Sequence, residues 1–139
     1  MIALDSNVVI YALDPRETVR KHIAQRLLAE TADLVLPWQV LCEVACNLRK
    51  LEGRGLGRAE GRRHLRDLRA RLPVLLPQAV FVERTLDLQD RYGLSFWDAN
   101  LVAACLEGAV KTLYSEDITG YPQIEGLTLV NPFAQEVAR

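Results

Sequence analysis

Four acidic residues fall where apolar elements end or begin, and their type and placement suit one chemistry. Asp5 closes the apolar run Met1-Ile2-Ala3-Leu4, Glu43 interrupts the run from Trp38 to Cys42, Asp98 follows Ser95-Phe96-Trp97, and Asp117 follows Thr112-Leu113-Tyr114. A carboxylate beside an apolar core is unfavourable unless something compensates its charge. Four gathered in one place repel one another until protons, or a hard cation with oxygen ligands such as Mg²⁺, relieve them. A divalent ion held there lowers the pKa of its bound water and neutralises the charge that develops when that water attacks a phosphodiester. Each acid also has an ordinary role open to it. Asp5 and Asp98 could cap helices, Glu43 could join Asn47 and Lys50 in a solvated stripe, and Asp117 could shape a turn with Ile118-Thr119-Gly120.

Other chemistries fit worse. Asn7 stands where an Asp-x-Asp phosphatase needs its second acid, and the chain has neither Gly-x-Gly-x-x-Gly nor a Gly-rich loop ending in Gly-Lys-Ser/Thr. His22 and His64 lack the spacing of a zinc hydrolase and stand alone in charged helical contexts, where solvated roles are expected. The three cysteines, Cys42, Cys46 and Cys105, are too few and too unevenly spaced for a disulfide framework or a zinc site, and are expected to be small core residues.

The elements that must position the acids alternate. Residues 1–4 read as a buried strand and 7–13 as a helix stopped by Asp14-Pro15. Thr18 starts a longer amphipathic helix to about Ala29. Leu34-Val35-Leu36 is a second strand, and Pro37 opens a helix to about Leu51. Gly53, Gly55 and Gly57 form a hinge before a helix over 58–72. An extended segment at 73–77, a helix over 78–92 ended by Tyr92-Gly93, and a Ser95-capped helix to Glu107-Gly108 follow. Strands at 112–114 and 127–130 and a short helix from Pro132 close the chain. Strands separated by helices imply a parallel sheet with helices on both faces. Ligands bind beyond the carboxyl ends of such strands. Asp5 and Asp117 lie at those ends, and Glu43 and Asp98 begin helices at the same edge. That shared pole favours a site over four separate ordinary roles.

At 139 residues with half of them hydrophobic, the chain suits one soluble domain spanning 1–139. No apolar run approaches the roughly 20 residues of a bilayer span, and Asp5 comes too early for a signal peptide, so a cytoplasmic protein starting at Met1 is expected. The net charge of −1 hides an asymmetry: residues 49–71 hold nine Lys/Arg and three acids, a local +6, which points to an anionic partner. On an ideal helix Arg58, Arg62, Arg66 and Arg69 share an arc of less than a quarter turn, beside Leu65, Leu68 and Leu72. These arginines could hold RNA phosphates or a protein partner, or merely cover the edge of an apolar face. Apolar surface on the helices flanking Gly53–Gly57 is expected to be extensive enough to require a homodimer.

The residues resemble a family. Leu4-Asp5-Ser6-Asn7-Val8, Glu43, Ser95-Phe96-Trp97-Asp98-Ala99-Asn100, Ser115-Glu116-Asp117 and the closing Gly126-Leu127 with Val130-Asn131-Pro132-Phe133 are similar, in order and along essentially the whole chain, to PIN-domain ribonucleases of the VapC toxin type. The resemblance implies a three-layer α/β/α fold around a central parallel sheet of four to five strands. It implies Asp5, Glu43, Asp98 and Asp117 as an acidic quartet holding Mg²⁺ or Mn²⁺, with Asn7 and Ser115 lining the site. It also implies an endoribonuclease, the toxin of a type II toxin–antitoxin pair, whose partners are RNA and a cognate antitoxin. In related toxins the helical pair around Gly53–Gly57 helps to grasp the antitoxin. Gly120-Tyr121-Pro122-Gln123 departs from the pattern and leaves the loop after Asp117 open. Two rival readings are an RNA-processing PIN nuclease without an antitoxin and a non-catalytic RNA- or protein-binding module. A retained acidic quartet argues against the second.

Overall fold

The apolar opening of the chain lies in the middle of a sheet. The computed structural model describes residues 1–134. The elements run β1 (Ile2–Leu4), α1 (Ser6–Leu13), α2 (Val19–Glu30), β2 (Leu34–Pro37), α3 (Trp38–Glu52), α4 (Arg58–Arg71), β3 (Val74–Leu75), α5 (Phe81–Tyr92), α6 (Phe96–Glu107), β4 (Thr112–Tyr114), β5 (Gln123–Ile124) and β6 (Leu127–Val130). The helix expected from Pro132 falls largely outside the described residues.

The strand order is β3-β2-β1-β4-β6-β5, with every pair parallel except β5 against β6. The helices complete a three-layer α/β/α arrangement: α1 packs on α2 and α3, α3 on α4, and α5 on α6. β1 pairs Ile2 and Ala3 with Leu34 and Val35 on one side, and Ile2–Leu4 with Thr112–Tyr114 on the other. Strands covered on both faces read as continuous apolar runs, as Leu34-Val35-Leu36 does. Because β2 and β4 flank β1 on opposite sides, the chain reverses direction of winding there. The crevice at such a switch point opens between the carboxyl ends of β1 and β4, where Asp5 and Asp117 follow.

Local signals account for most of the boundaries. The Asp5 carboxylate accepts the Ser6 N–H at the start of α1, Thr18 accepts the Lys21 N–H in α2, and Ser95 accepts the Asp98 N–H in α6. Gly93, at φ +67°, ends α5 in the left-handed conformation that glycine adopts without strain. Gly61 lets α4 approach α3, since a Cβ there would come within 3.3 Å of the Leu48 and Leu56 side chains. α6 is buried nearly all round from Ala99 to Cys105, as expected of a helix with apolar residues on every face.

The structure corrects three expectations. The sheet has six strands rather than four to five, because Val74–Leu75 pairs with β2 and Gln123–Ile124 folds back on β6. That hairpin turns through Glu125 (φ 50°) and Gly126 (φ 93°), a two-residue turn with both residues left-handed, and Glu-Gly is a weaker signal for it than Asn-Gly. Cys42 and Cys46 are exposed and Cys105 alone is buried, since Val40, Leu41, Val44 and Leu51 carry the apolar face of α3 and leave its other side free. Finally, among the described residues the helices flanking Gly53–Gly57 carry a single large exposed hydrophobic side chain, Trp38, at the end of α3 away from the hinge. Most of the other large exposed apolar residues are Leu76, Val80, Val82 and Leu86, in or before α5, and Phe96 and Trp97 at the start of α6, with Met1, Val19 and Tyr121 scattered elsewhere.

Candidate active site

Asp5 holds the centre of the acidic pole. Only 5% of it is exposed, and both carboxylate oxygens are occupied: Oδ1 accepts the Ser6 N–H at 2.7 Å, and Oδ2 accepts the Ser115 hydroxyl at 2.7 Å from 110 residues away. Ser115 in turn accepts the N–H groups of Asp117 and Ile118 at 3.2 and 3.3 Å, so one hydroxyl fixes both Asp5 and the turn that carries Asp117. Asn7 completes this side by donating to Asp117 Oδ2 at 3.0 Å. Asp5 thus caps a helix and lines a site at once.

Glu43 reaches the same place from α3. Ser6 Oγ donates to its Oε2 at 2.7 Å and Gln39 Nε2 to its Oε1 at 2.7 Å. Gln39 also donates to the Trp97 carbonyl at 3.0 Å and accepts from Asn100 Nδ2 at 2.8 Å, while Thr85 Oγ1 donates to Asn100 Oδ1 at 3.0 Å. A chain of hydrogen bonds therefore joins α5, α6 and α3 to the Glu43 carboxylate. Such networks fix geometry more firmly than their individual bonds suggest. Asp98, in the first turn of α6, faces the same cleft.

All four acids line one cleft of about 600 Å³. Burial, reinforced by the Glu43 and Asp117 charges against the opposing bonds from Ser115 and Ser6, pushes Asp5 up from 3.8 to about 6. Burial likewise raises Asp98, with Asp117 and Glu43 adding to the effect against its bond from Ser95. The repulsion expected of gathered carboxylates is thus present. No three His, Cys, Asp or Glu side chains among the described residues close into a ready-made metal cage. Mg²⁺ does not require one, because it keeps several waters and binds through one or two carboxylates. An all-oxygen, mutually repelling set of acids fits such an ion.

A family model for the PIN domain matches residues 2–121. The chain belongs to the PIN-domain family. Among solved structures, this PIN domain is similar to a toxin–antitoxin complex from Klebsiella pneumoniae (TM-score 0.71, 20% identity, covering 95% of this chain and 98% of that one). It is also similar to VapC20 from Mycobacterium tuberculosis, described as a toxin that cleaves the sarcin–ricin loop (TM-score 0.65, 21% identity, 84% and 90% covered). A third likeness is to VapBC2 from Rickettsia felis bound to a promoter DNA fragment (TM-score 0.67, 18% identity, 94% and 98% covered). At these identities the likeness is one of fold. No curated protein sequence matches significantly.

The cleft of this PIN domain also contains residues that the sequence did not single out. Gln39, Asn100 and Ser6 orient the acids, and Trp38, Trp97, Cys42 and Cys46 line the walls. Gln39 had a signal, one helical turn before Glu43; Ser6 and Asn100 lie inside the motifs that carry Asp5 and Asp98. The arginine stripe is elsewhere. Arg58, Arg62, Arg66 and Arg69 are all exposed on α4, and none lines the acidic cleft. A different basic surface adjoins it: Asn7 lines a separate groove with Arg16, Lys50 and Arg54. Two of these, Arg16 and Arg54, bond to Asp14, whose carboxyl the Arg16 bonds hold down at about 2.

Proposed function

We propose that this chain is a Mg²⁺- or Mn²⁺-dependent endoribonuclease that acts as the toxin of a type II toxin–antitoxin pair. The observation that carries this reading is the convergence of Asp5, Glu43, Asp98 and Asp117 on one cleft at the switch point of the sheet. When bound by these carboxylates, the divalent ion supplies a water of lowered pKa and offsets charge on the scissile phosphate. The protein's part is to hold the acids aimed, and the ion would offset the repulsion and burial that raise Asp5 and Asp98. Ser115 and the Ser6 N–H fix the two oxygens of Asp5, Ser6 and Gln39 fix those of Glu43, and Asn7 orients Asp117. With no histidine in the cleft, the site lacks the usual pair for metal-free acid–base cleavage, which supports products with 5′-phosphate and 3′-hydroxyl ends.

The partners follow from the same reading. The K. pneumoniae neighbour is a toxin–antitoxin complex, which supports a cognate antitoxin here. The exposed apolar residues Val82 and Leu86, one turn apart on α5, with Val80 and Leu76 nearby, supply the surface for a homodimer. No described helix is long and apolar enough to cross a membrane. Purified protein should cut RNA with Mg²⁺ or Mn²⁺ and stop in EDTA. Full activity in EDTA, or 2′,3′-cyclic phosphate products, would overturn the mechanism.

A further inference from the structure

The chain has two tryptophans, and both stand in water on the walls of the acidic cleft: Trp38 is 48% exposed and Trp97 is 63% exposed. Indole is among the largest apolar surfaces a protein can bury, and this fold leaves both unburied at one place. They are not loose. Gln39, directly after Trp38, donates one hydrogen bond to the Trp97 carbonyl and another to Glu43, so the segments bearing both indoles are tied to each other and to an acid. Phe96 meets the Trp97 ring edge to face, with centroids 5.0 Å apart and planes at 90°, which restrains the indole's rotation. Asp98 is the next residue in the chain.

We propose that Trp38 and Trp97 form a stacking platform for one or two unpaired nucleobases beside the scissile phosphate. This rests on reading the cleft as an RNA-cutting site. A strand whose phosphate lies at the acids brings its neighbouring bases to the walls of the same cleft, and those walls carry the indoles. Bases within an A-form duplex are stacked on one another and offer no free face, whereas splayed bases stack readily on aromatic side chains. Stacking of this kind tolerates any base, because every base has a π-face. The platform therefore selects for strand state and leaves sequence preference to other contacts.

Because these are the chain's only indoles, its tryptophan emission reports on the platform alone. With Mg²⁺ and an Asp5→Asn background that blocks cutting, a ten-nucleotide mixed-sequence RNA should quench that emission. The same strand annealed into a duplex, and an abasic ribose-phosphate polymer of equal length, should not. Trp97→Ala should weaken single-strand binding on the order of tenfold, and Trp97→Phe, which keeps an aromatic face, should recover most of the loss. Unchanged emission on adding a strand that the wild type cuts once Mg²⁺ is supplied overturns the platform and leaves the nuclease reading standing. So does quenching by an antitoxin with none by RNA, which assigns the indoles to protein contact. An RNA panel neither bound nor cut with any divalent metal overturns the nuclease reading, and the platform with it.

Discussion

The acidic cleft and the arginine face of α4 are both concentrations of like charge, yet they are built in opposite ways. Asp5, Glu43, Asp98 and Asp117 come from separate elements, and three of the four are pinned by side-chain bonds that reach 37 to 110 residues along the chain. Arg58, Arg62, Arg66 and Arg69 come from one helix and point into solvent. Arg58 reaches Glu52 at 3.5 Å, and the other three make no ion pair among the described residues. The cleft keeps its charges together against their repulsion, which takes fixed geometry. The helix merely displays charges on its outer face, where little opposes them. Long-range pinning is thus the better guide to chemistry than local charge density.

The largest effect expected is on the cleft. Asp98→Asn should lower cutting by roughly a hundredfold or more, as the loss of one well-placed electrostatic group typically does. The metal-free fold should keep its stability or gain slightly, since the Ser95 cap uses the main-chain N–H of residue 98 and survives the change. Cutting assays run beside thermal unfolding in EDTA test both halves. A variant that unfolds early would make Asp98 a structural acid, and the contrast between the two regions would lose its basis.

Next comes the bond that gathers the cleft. Gln39→Leu leaves Asn100 Nδ2 and one side of Glu43 without their partner, and because both are only half-buried the cost should lie at or below the low end of the roughly 1–3 kcal/mol of a fully buried orphan. The expected result is a modest drop in urea midpoint, with cutting lost by more than the unfolded fraction explains because Glu43 is no longer aimed. Activity that simply tracks the folded fraction would show that Gln39 supports packing alone.

Protonation sharpens the comparison further. Asp5 is pushed up to about 6 in the folded protein, above its ordinary 3.8, so between those values the folded state holds a proton that the unfolded chain has released. Metal-free stability should therefore fall as pH rises from about 4 to 6 and gain as pH is lowered through the same window. The full shift corresponds to at most ~3 kcal/mol, at about 1.4 kcal/mol per pH unit. Asp14 has the opposite sign. Held near 2 by Arg16, it contributes stability above 3.8 that is lost as pH falls toward 2. Urea titrations in EDTA across pH 3 to 7 should show a maximum between the two windows. Asp5→Asn should flatten only the upper limb; an unchanged upper limb would assign that limb to another group.

How much of this was legible in the sequence depended on whether the signal was local. The Asp5, Thr18 and Ser95 caps, the Gly93 stop and the apolar central strands each declare themselves within a few residues, and the structure has them where expected. The four acids were legible because alternating strands and helices force their ends to one pole. β3 lay within the extended segment expected at 73–77, whereas β5, two residues long, was too short to carry a period and depends on a left-handed Glu125-Gly126 turn. The exposure of Cys42 and Cys46 was hidden for a related reason. The face of α3 that meets the core is fixed by where β2 and α1 lie, and cysteine's usual preference for burial pointed the other way.

The smallest effect should separate two basic surfaces. Lys50 lies on the groove that Asn7 also lines, and it makes no ion pair among the described residues, so it is free to meet a phosphate beside the acids. Arg62 and Arg66 are equally free but do not line the cleft or that groove. Each lost phosphate contact on a single strand makes the log–log salt dependence of binding shallower by about 0.7. In an Asp5→Asn background that blocks cutting, Lys50→Gln should produce that change on a short RNA. Changing Arg62 and Arg66 together to Gln should leave the slope alone, and stability should move by less than about 0.5 kcal/mol, as for most surface substitutions. If the paired arginine change shallows the slope and Lys50→Gln does not, the RNA runs over α4, and the face that looks merely solvated becomes its path. If neither moves it, the strand is held by the acids' metal and by stacked bases more than by fixed cations, and α4 is left for a protein partner with acidic side chains.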